Sequence, residues 1–116
     1  MNQTANLNIV ELELLTIRYM AWLIEALTWP HVSRDCLHPS TRDDIIHRLA
    51  DEIEHTAQYH LEQISIKDRA RYLMRNAERL RSLVDSNKTH LDQVRLNKPT
   101  LEDIDYLEVN LKQILR

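Results

Sequence analysis

At 116 residues, with 43% hydrophobic and 28% charged side chains and a net charge of −3, the chain has the makeup of one globular domain. It contains no Gly and only three Pro, which argues against tight β-hairpins and excludes the Gly-rich phosphate loops of nucleotide enzymes. It also lacks Phe, so the core must be Leu, Ile, Val, Met and Ala, with Trp22, Trp29 and a few Tyr.

The N-terminal Met-Asn-Gln-Thr-Ala-Asn has no basic stretch of the kind that opens a secretory signal. A first helix is expected over about 9–28, with Asn8 and Glu11 as a capping pair and Pro30 ending it. Glu11, Arg18 and Glu25 recur every seven residues on one narrow face, and most of the remaining girth is apolar. Glu11, Glu13, Arg18 and Glu25 each would cost roughly 2.5–3.5 kcal/mol at bilayer depth, so the segment reads as a buried helix and no membrane partner is expected. A helix this apolar sits centrally in its own bundle or is covered by another protein. Helix 1 is therefore expected to contact a larger protein assembly, or to drive self-association.

Residues 30–40 form the longest irregular connection. Cys36 is the only cysteine, so no internal disulfide can form, and a cytoplasmic location is expected. Ser40 with Asp43 and Thr41 with Asp44 are overlapping capping boxes for a second helix over about 41–63. Its inner stripe is Ile46, Leu49, Ala50, Ile53, Ala57, His60/Leu61 and Ile64. Ser65 and Asp68 open a third helix over 66–85, with stripe Ile66, Ala70, Leu73, Met74, Ala77, Leu80 and Val84. Asp85-Ser86-Asn87 favours a stop; without Gly or Pro before Pro99, the helix could also extend to 96. Thr100 and Asp103 open a fourth helix over 101–115, with stripe Leu101, Ile104, Leu107, Leu111 and Ile114/Leu115. The expected architecture is an all-α, single-domain bundle of four main helices spanning 1–116.

Charge is segregated along the chain. Residues 1–66 carry net −6, residues 67–98 net +5 and residues 99–116 net −2. Arg71, Arg75 and Arg79 are spaced four apart and share one helix face, with Lys67 at its edge and Arg95 and Lys98 further on. Each step climbs about 6 Å, close to the phosphate spacing of a nucleic-acid strand. Arginine forks suit phosphate oxygens, so Lys67, Arg71, Arg75, Arg79, Arg95 and Lys98 are candidate nucleic-acid contacts that read no bases. Tyr72 on the same side could stack on a base. An acidic protein surface, or pairing with Glu102, Asp103, Asp105 and Glu108, accounts for the same stripe. Arg69 and Arg81 flank the apolar stripe and suit packing or intramolecular pairs.

No catalytic constellation is legible, and no cofactor or metal is expected. His47, Asp51 and His55 share a face but lack a further ligand, and His31, Cys36 and His38 match no zinc spacing. His60 falls in the apolar stripe as a hydrogen-bonded core or interface histidine. Cys36 lacks an oxyanion motif or fixed acid. The chain is therefore expected not to be an enzyme.

Two family resemblances are present. Arg95-Leu-Asn-Lys-Pro-Thr-Leu-Glu-Asp-Ile-Asp-Tyr-Leu, following an Arg-rich helix, resembles the last helices of AAA+ lid domains and histone-fold proteins. The whole chain, a short Gly-free bundle opening near Met1 on an apolar helix, resembles the small helical subunit of type I CRISPR interference complexes (Cascade). That resemblance implies an antiviral-defence subunit that stacks within a nucleoprotein assembly and supports crRNA–target or displaced-strand DNA. The corresponding positions would be Lys67, Arg71, Arg75 and Arg79, with Arg95 and Lys98. The alternative is a protein–protein adaptor or regulatory bundle whose Arg stripe meets an acidic partner.

Overall fold

The computed structural model describes residues 7–29, 39–95 and 97–116. Among them every regular element is a helix: α1 (Ile9–Leu27), α2 (Pro39–Leu61), α3 (Ile66–Ser86), α4 (Lys88–Leu91) and α5 (Leu101–Leu115). Local hydrogen bonds set most of the boundaries. Asn8 Oδ1 accepts the Glu11 N–H at 2.9 Å and Glu11 Oε1 accepts the Asn8 N–H at 3.0 Å, closing a reciprocal box that starts α1. Thr100 and Asp103 make the same box at α5, at 2.9 and 3.2 Å. Ser65 Oγ accepts the Asp68 N–H at 3.2 Å at the start of α3.

Two boundaries differ from the sequence expectation. Helix α2 begins at Pro39 rather than near 41, so Ser40 and Thr41 stand inside its first turn. Proline suits a first helical position, because its missing N–H has no intrahelical partner there anyway. Helix α2 also ends at Leu61 rather than 63. Gln63 takes a left-handed φ of 55°, and the Ile64 N–H reaches back to Tyr59 O while the Gln63 N–H meets His60 O. That is the Schellman pattern, with glutamine where glycine is usual. The extension of α3 to 96 does not form. Asn87 leaves helical geometry (φ −110°, ψ 24°), and its Nδ2 donates to Leu83 O at 2.8 Å. A single turn, α4, then redirects the chain, and Lys98 Nζ meets the carbonyls of Leu91 and Val94 at its end.

Helix α1 is central and packs against all four other helices, while α3 and α5 form the most extensive pair. The core comprises Leu12, Met20, Leu23, Ala26 and Leu27 of α1, Leu49 of α2, Ala70, Leu73, Ala77 and Leu80 of α3, and Ile104, Leu107 and Leu111 of α5. Ala70 and Ala77 let α3 approach its neighbours closely. Ile66 and Leu101, expected in inner stripes, are instead exposed at helix starts. In α2 the inner face is rotated from the expected one: Thr56 is buried, whereas Ala50, Ala57 and Leu61 face out. Thr56 is tolerated inside because its hydroxyl donates to Glu52 O at 2.7 Å, leaving a methyl group for packing.

Long-range polar bonds tie the ends together. The Leu7 N–H donates to Asn110 Oδ1 at 3.0 Å, and Asn110 Nδ2 donates to Tyr106 O at 2.9 Å. His90 is buried on α4, with Nε2 3.0 Å from Ala26 O, which fastens that turn to the end of α1.

Candidate functional site

The basic segment divides into residues used inside the fold and residues left facing solvent. Arg69 is buried, and Arg81 bridges α3 to α5 through Asp105 and Glu108. The hydrogen bonds to Asp105 and Glu108 raise the pKa of Arg81 against the opposing effect of burial. Of the six candidate phosphate contacts, Lys67 donates to the main-chain oxygen of Arg116 at 2.8 Å. Arg71 pairs with exposed Asp68 at 2.7 Å, and Arg79 pairs with Glu52 at 3.0 Å. Lys98 is occupied by the carbonyls ending α4. Arg75 and Arg95 are exposed and meet no acidic partner among the described residues.

The structure adds one arginine. Arg48 of α2 lines the same cleft of about 280 Å³ as Arg79, together with Thr41 and Asp44. It sits in the acidic first half of the chain, so only tertiary packing brings it beside α3. Tyr72 is partly buried and tied into the fold. Its hydroxyl donates to Glu52, its ring meets Tyr59 edge-on with centroids 4.6 Å apart, and burial followed by the Glu52 hydrogen bond pushes its pKa up.

The most ordered charged arrangement was not legible in the sequence. Glu13 of α1 is buried, and its carboxylate receives Arg69 in a two-point fork, Nε to Oε2 at 2.9 Å and Nη2 to Oε1 at 2.7 Å. His60 of α2 completes the cluster, with Nδ1 3.0 Å from Glu13 Oε1 and 2.8 Å from Arg69 Nη2. The guanidinium can only donate, so an Nδ1 without a proton accepts from Arg69 and a protonated Nδ1 donates to Glu13. The Glu13 hydrogen bond raises the pKa of Arg69 against the opposing effect of burial. The cluster joins α1, α2 and α3 at one point. Arg69 thus holds both Glu13 oxygens.

Beside this cluster lies an apolar groove of about 210 Å³ between α1 and α2, walled by Val10, Leu14, Ile17, Ala57 and Leu61. Its rim is unusually bare: Leu14 is 62% exposed, Leu61 77% and Val10 40%. On the other flank of Leu14, a shallow depression is bounded by Leu7, Glu11, Leu15 and Arg18. The Arg18 guanidinium lies 5.1 Å from the Trp22 ring centroid and meets no carboxylate among the described residues.

Among the described residues no group of three His, Cys, Asp or Glu could hold a metal ion. His47 and Asp51 approach to 3.8 Å, and His55 turns to Glu52 at 3.7 Å rather than to that pair. The His31, Cys36 and His38 cluster lies outside the described residues. A cleft of about 430 Å³ between the end of α3, α4 and the start of α5 contains Lys88, Asp92 and Lys98, but Lys88 is paired to Asp92 at 3.0 Å. No described helix is long and apolar enough to cross a membrane. Comparison with known proteins returns no matching family model, no matching curated protein and no matching solved structure.

Proposed function

We propose that this protein is a non-catalytic helical subunit that works by docking into a larger assembly through the outer face of α1 and the adjoining edge of α2. The observation that carries this reading is the bare rim formed by Val10, Leu14 and Leu61 around one apolar groove. Isolated exposed leucines are ordinary; three large aliphatic side chains around a common groove mark an interaction surface. The role implied by the resemblance to Cascade small subunits is one form of this reading.

The test is the size of the tagged protein in extract of its native cells. The expected result is elution far above twice its 13.8 kDa, with Leu14→Glu plus Leu61→Glu bringing it down to no more than twice that mass at unchanged melting temperature. Elution of the parent chain at its own size would sink the reading.

A second reading concerns the basic face of α3. The exposed arginines of α3, joined by Arg48, contact a nucleic-acid backbone within that assembly. Arg75 favours it, because it is exposed without an acidic partner among the described residues, and Arg71 is held only by an exposed aspartate. Exposed pairs of that kind are worth roughly 0–1 kcal/mol and yield readily to phosphate.

A further inference from the structure

We infer that the outer face of α1 binds a second copy of this chain, the two α1 helices running antiparallel about a two-fold axis between Leu14 and Leu15. This rests on the reading of that face as a docking surface and names its occupant. Glu11, Leu14, Leu15 and Arg18 stand at i, i+3, i+4 and i+7, the four corners of the hole that a side chain from a facing helix fills. They border one depression, and Leu14 beside it is the most exposed leucine of the helix. With the axis between 14 and 15, Leu14 of each copy enters the hole of the other.

The charges then select the direction. Glu11 lies three residues before Leu14 and Arg18 three after Leu15, so the two are equally far from the axis and opposite in sign. Within one chain they are separated by about 10 Å of helix, at ~1.5 Å per residue, and form no pair with each other. Across the axis Glu11 comes level with the partner's Arg18, twice over, and Leu7 comes level with the partner's Trp22. A parallel pairing would set like charges against each other. Both groups have capacity left: Glu11 uses only Oε1 for the Asn8 N–H, and Arg18 rests on an indole face without a carboxylate among the described residues. A self-complementary patch of this kind is what a two-fold interface requires.

The experiment is sedimentation of the purified full chain from about 1 μM to about 1 mM, a range that covers weak dimers. The expected result is a monomer–dimer equilibrium. Reversing one charge, in E11R or in R18E, converts both cross-axis pairs to repulsions and weakens the dimer about tenfold or more. An equimolar mixture of the E11R and R18E chains recovers dimerisation, since each supplies the complement of the other, and so does the doubly reversed E11R/R18E chain. Because E11R also disturbs the α1 cap, circular dichroism melts accompany each variant, and where E11R unfolds the loss of dimer in R18E alone carries the test. A parent chain that stays monomeric throughout overturns the self-pairing; large size in extract would then still support docking to a different protein. A dimer indifferent to both reversals, or one not recovered by mixing, also overturns it.

Discussion

Removing the carboxylate of Glu13 leaves the Arg69 guanidinium, with only 10% of its side chain exposed, facing a half-buried His60 and no counter-charge. Breaking a buried pair from one side costs about 3–5 kcal/mol, because the remaining charge has lost both water and partner. A domain of this size has about 5–15 kcal/mol of total stability, so Glu13→Ala should leave a marginal fold. With a urea m-value of about 2 kcal/mol/M, the midpoint should fall by about 2 M. Glu13→Gln keeps the shape and one acceptor oxygen and should lose less, about 2–3 kcal/mol. The informative comparison is Glu13→Leu with Arg69→Met. Replacing both partners by apolar side chains of similar volume should lie within about 1 kcal/mol of the parent, far from the sum of the single losses. Urea titrations followed by circular dichroism measure the parent, Glu13→Ala, Glu13→Gln, the single Glu13→Leu and Arg69→Met chains and their double variant. Additive losses in the double variant, or a Glu13→Ala cost below about 1 kcal/mol, would refute the claim that this pair is a coupled internal lock.

Burial, with Asp103 adding to it, pushes Tyr19 up to about 12. The unfolded chain releases that proton near pH 10, so this contribution is complete below pH 10 and is lost as pH rises to 12, a loss of about 2–3 kcal/mol. Tyr19→Phe should therefore flatten the decline of the urea midpoint between about pH 10 and 12, and an equally steep decline would show that Tyr19 is not the group responsible. Gln63→Gly should raise stability by about 0.5–1 kcal/mol, since it relieves a left-handed residue, and a lowered melting temperature would contradict the strain assigned to that turn. Arg71→Ala with Arg75→Ala and Arg79→Ala should reduce the salt dependence of binding to single- or double-stranded DNA; parent-like binding by the triple variant would remove the α3 face from consideration.

What the sequence made legible was whatever a short-range hydrogen bond or a helical period decides. Asn8, Ser65 and Thr100 announce helix starts because the bond they make closes over three residues. The stop at Asn87 is written in the poor helix formers around it. The turn at Gln63 was hidden because no glycine marks it. The inner face of α2 was misread because Thr56 counts as polar until its hydroxyl is satisfied within its own helix. The candidate surface was half legible. Four-residue spacing placed Arg71, Arg75 and Arg79 outward correctly, but which carboxylate each one meets is a tertiary fact: Glu52 reaches Arg79 and Tyr72 from another helix. Glu13 lies 56 residues from Arg69, and nothing local to either predicts the fork.

That fork bears on the docking face through the rotation of α1. The helix is apolar over most of its girth, and hydrophobic burial is non-directional, so burial alone discriminates weakly between Leu12 inward with Leu14 outward and the reverse. A roll of one residue position, about 100°, swings the Glu13 carboxylate off Arg69 and leaves two buried charges unpaired. The polar bond thus reinforces the rotation that already keeps Glu11, Arg18 and Glu25 in solvent, the kind of specificity a buried ion pair can confer where packing is permissive. The selected rotation is the one that holds Glu11, Leu14 and Arg18 outward together. It follows that Glu13→Leu with Arg69→Met should keep its stability yet lose a unique α1 setting. Near-ultraviolet circular dichroism from Trp22 and Trp29 should weaken, and self-association should fall. If that variant keeps both the parent spectrum and the parent association, side-chain packing sets the rotation of α1 and the charged pair does not.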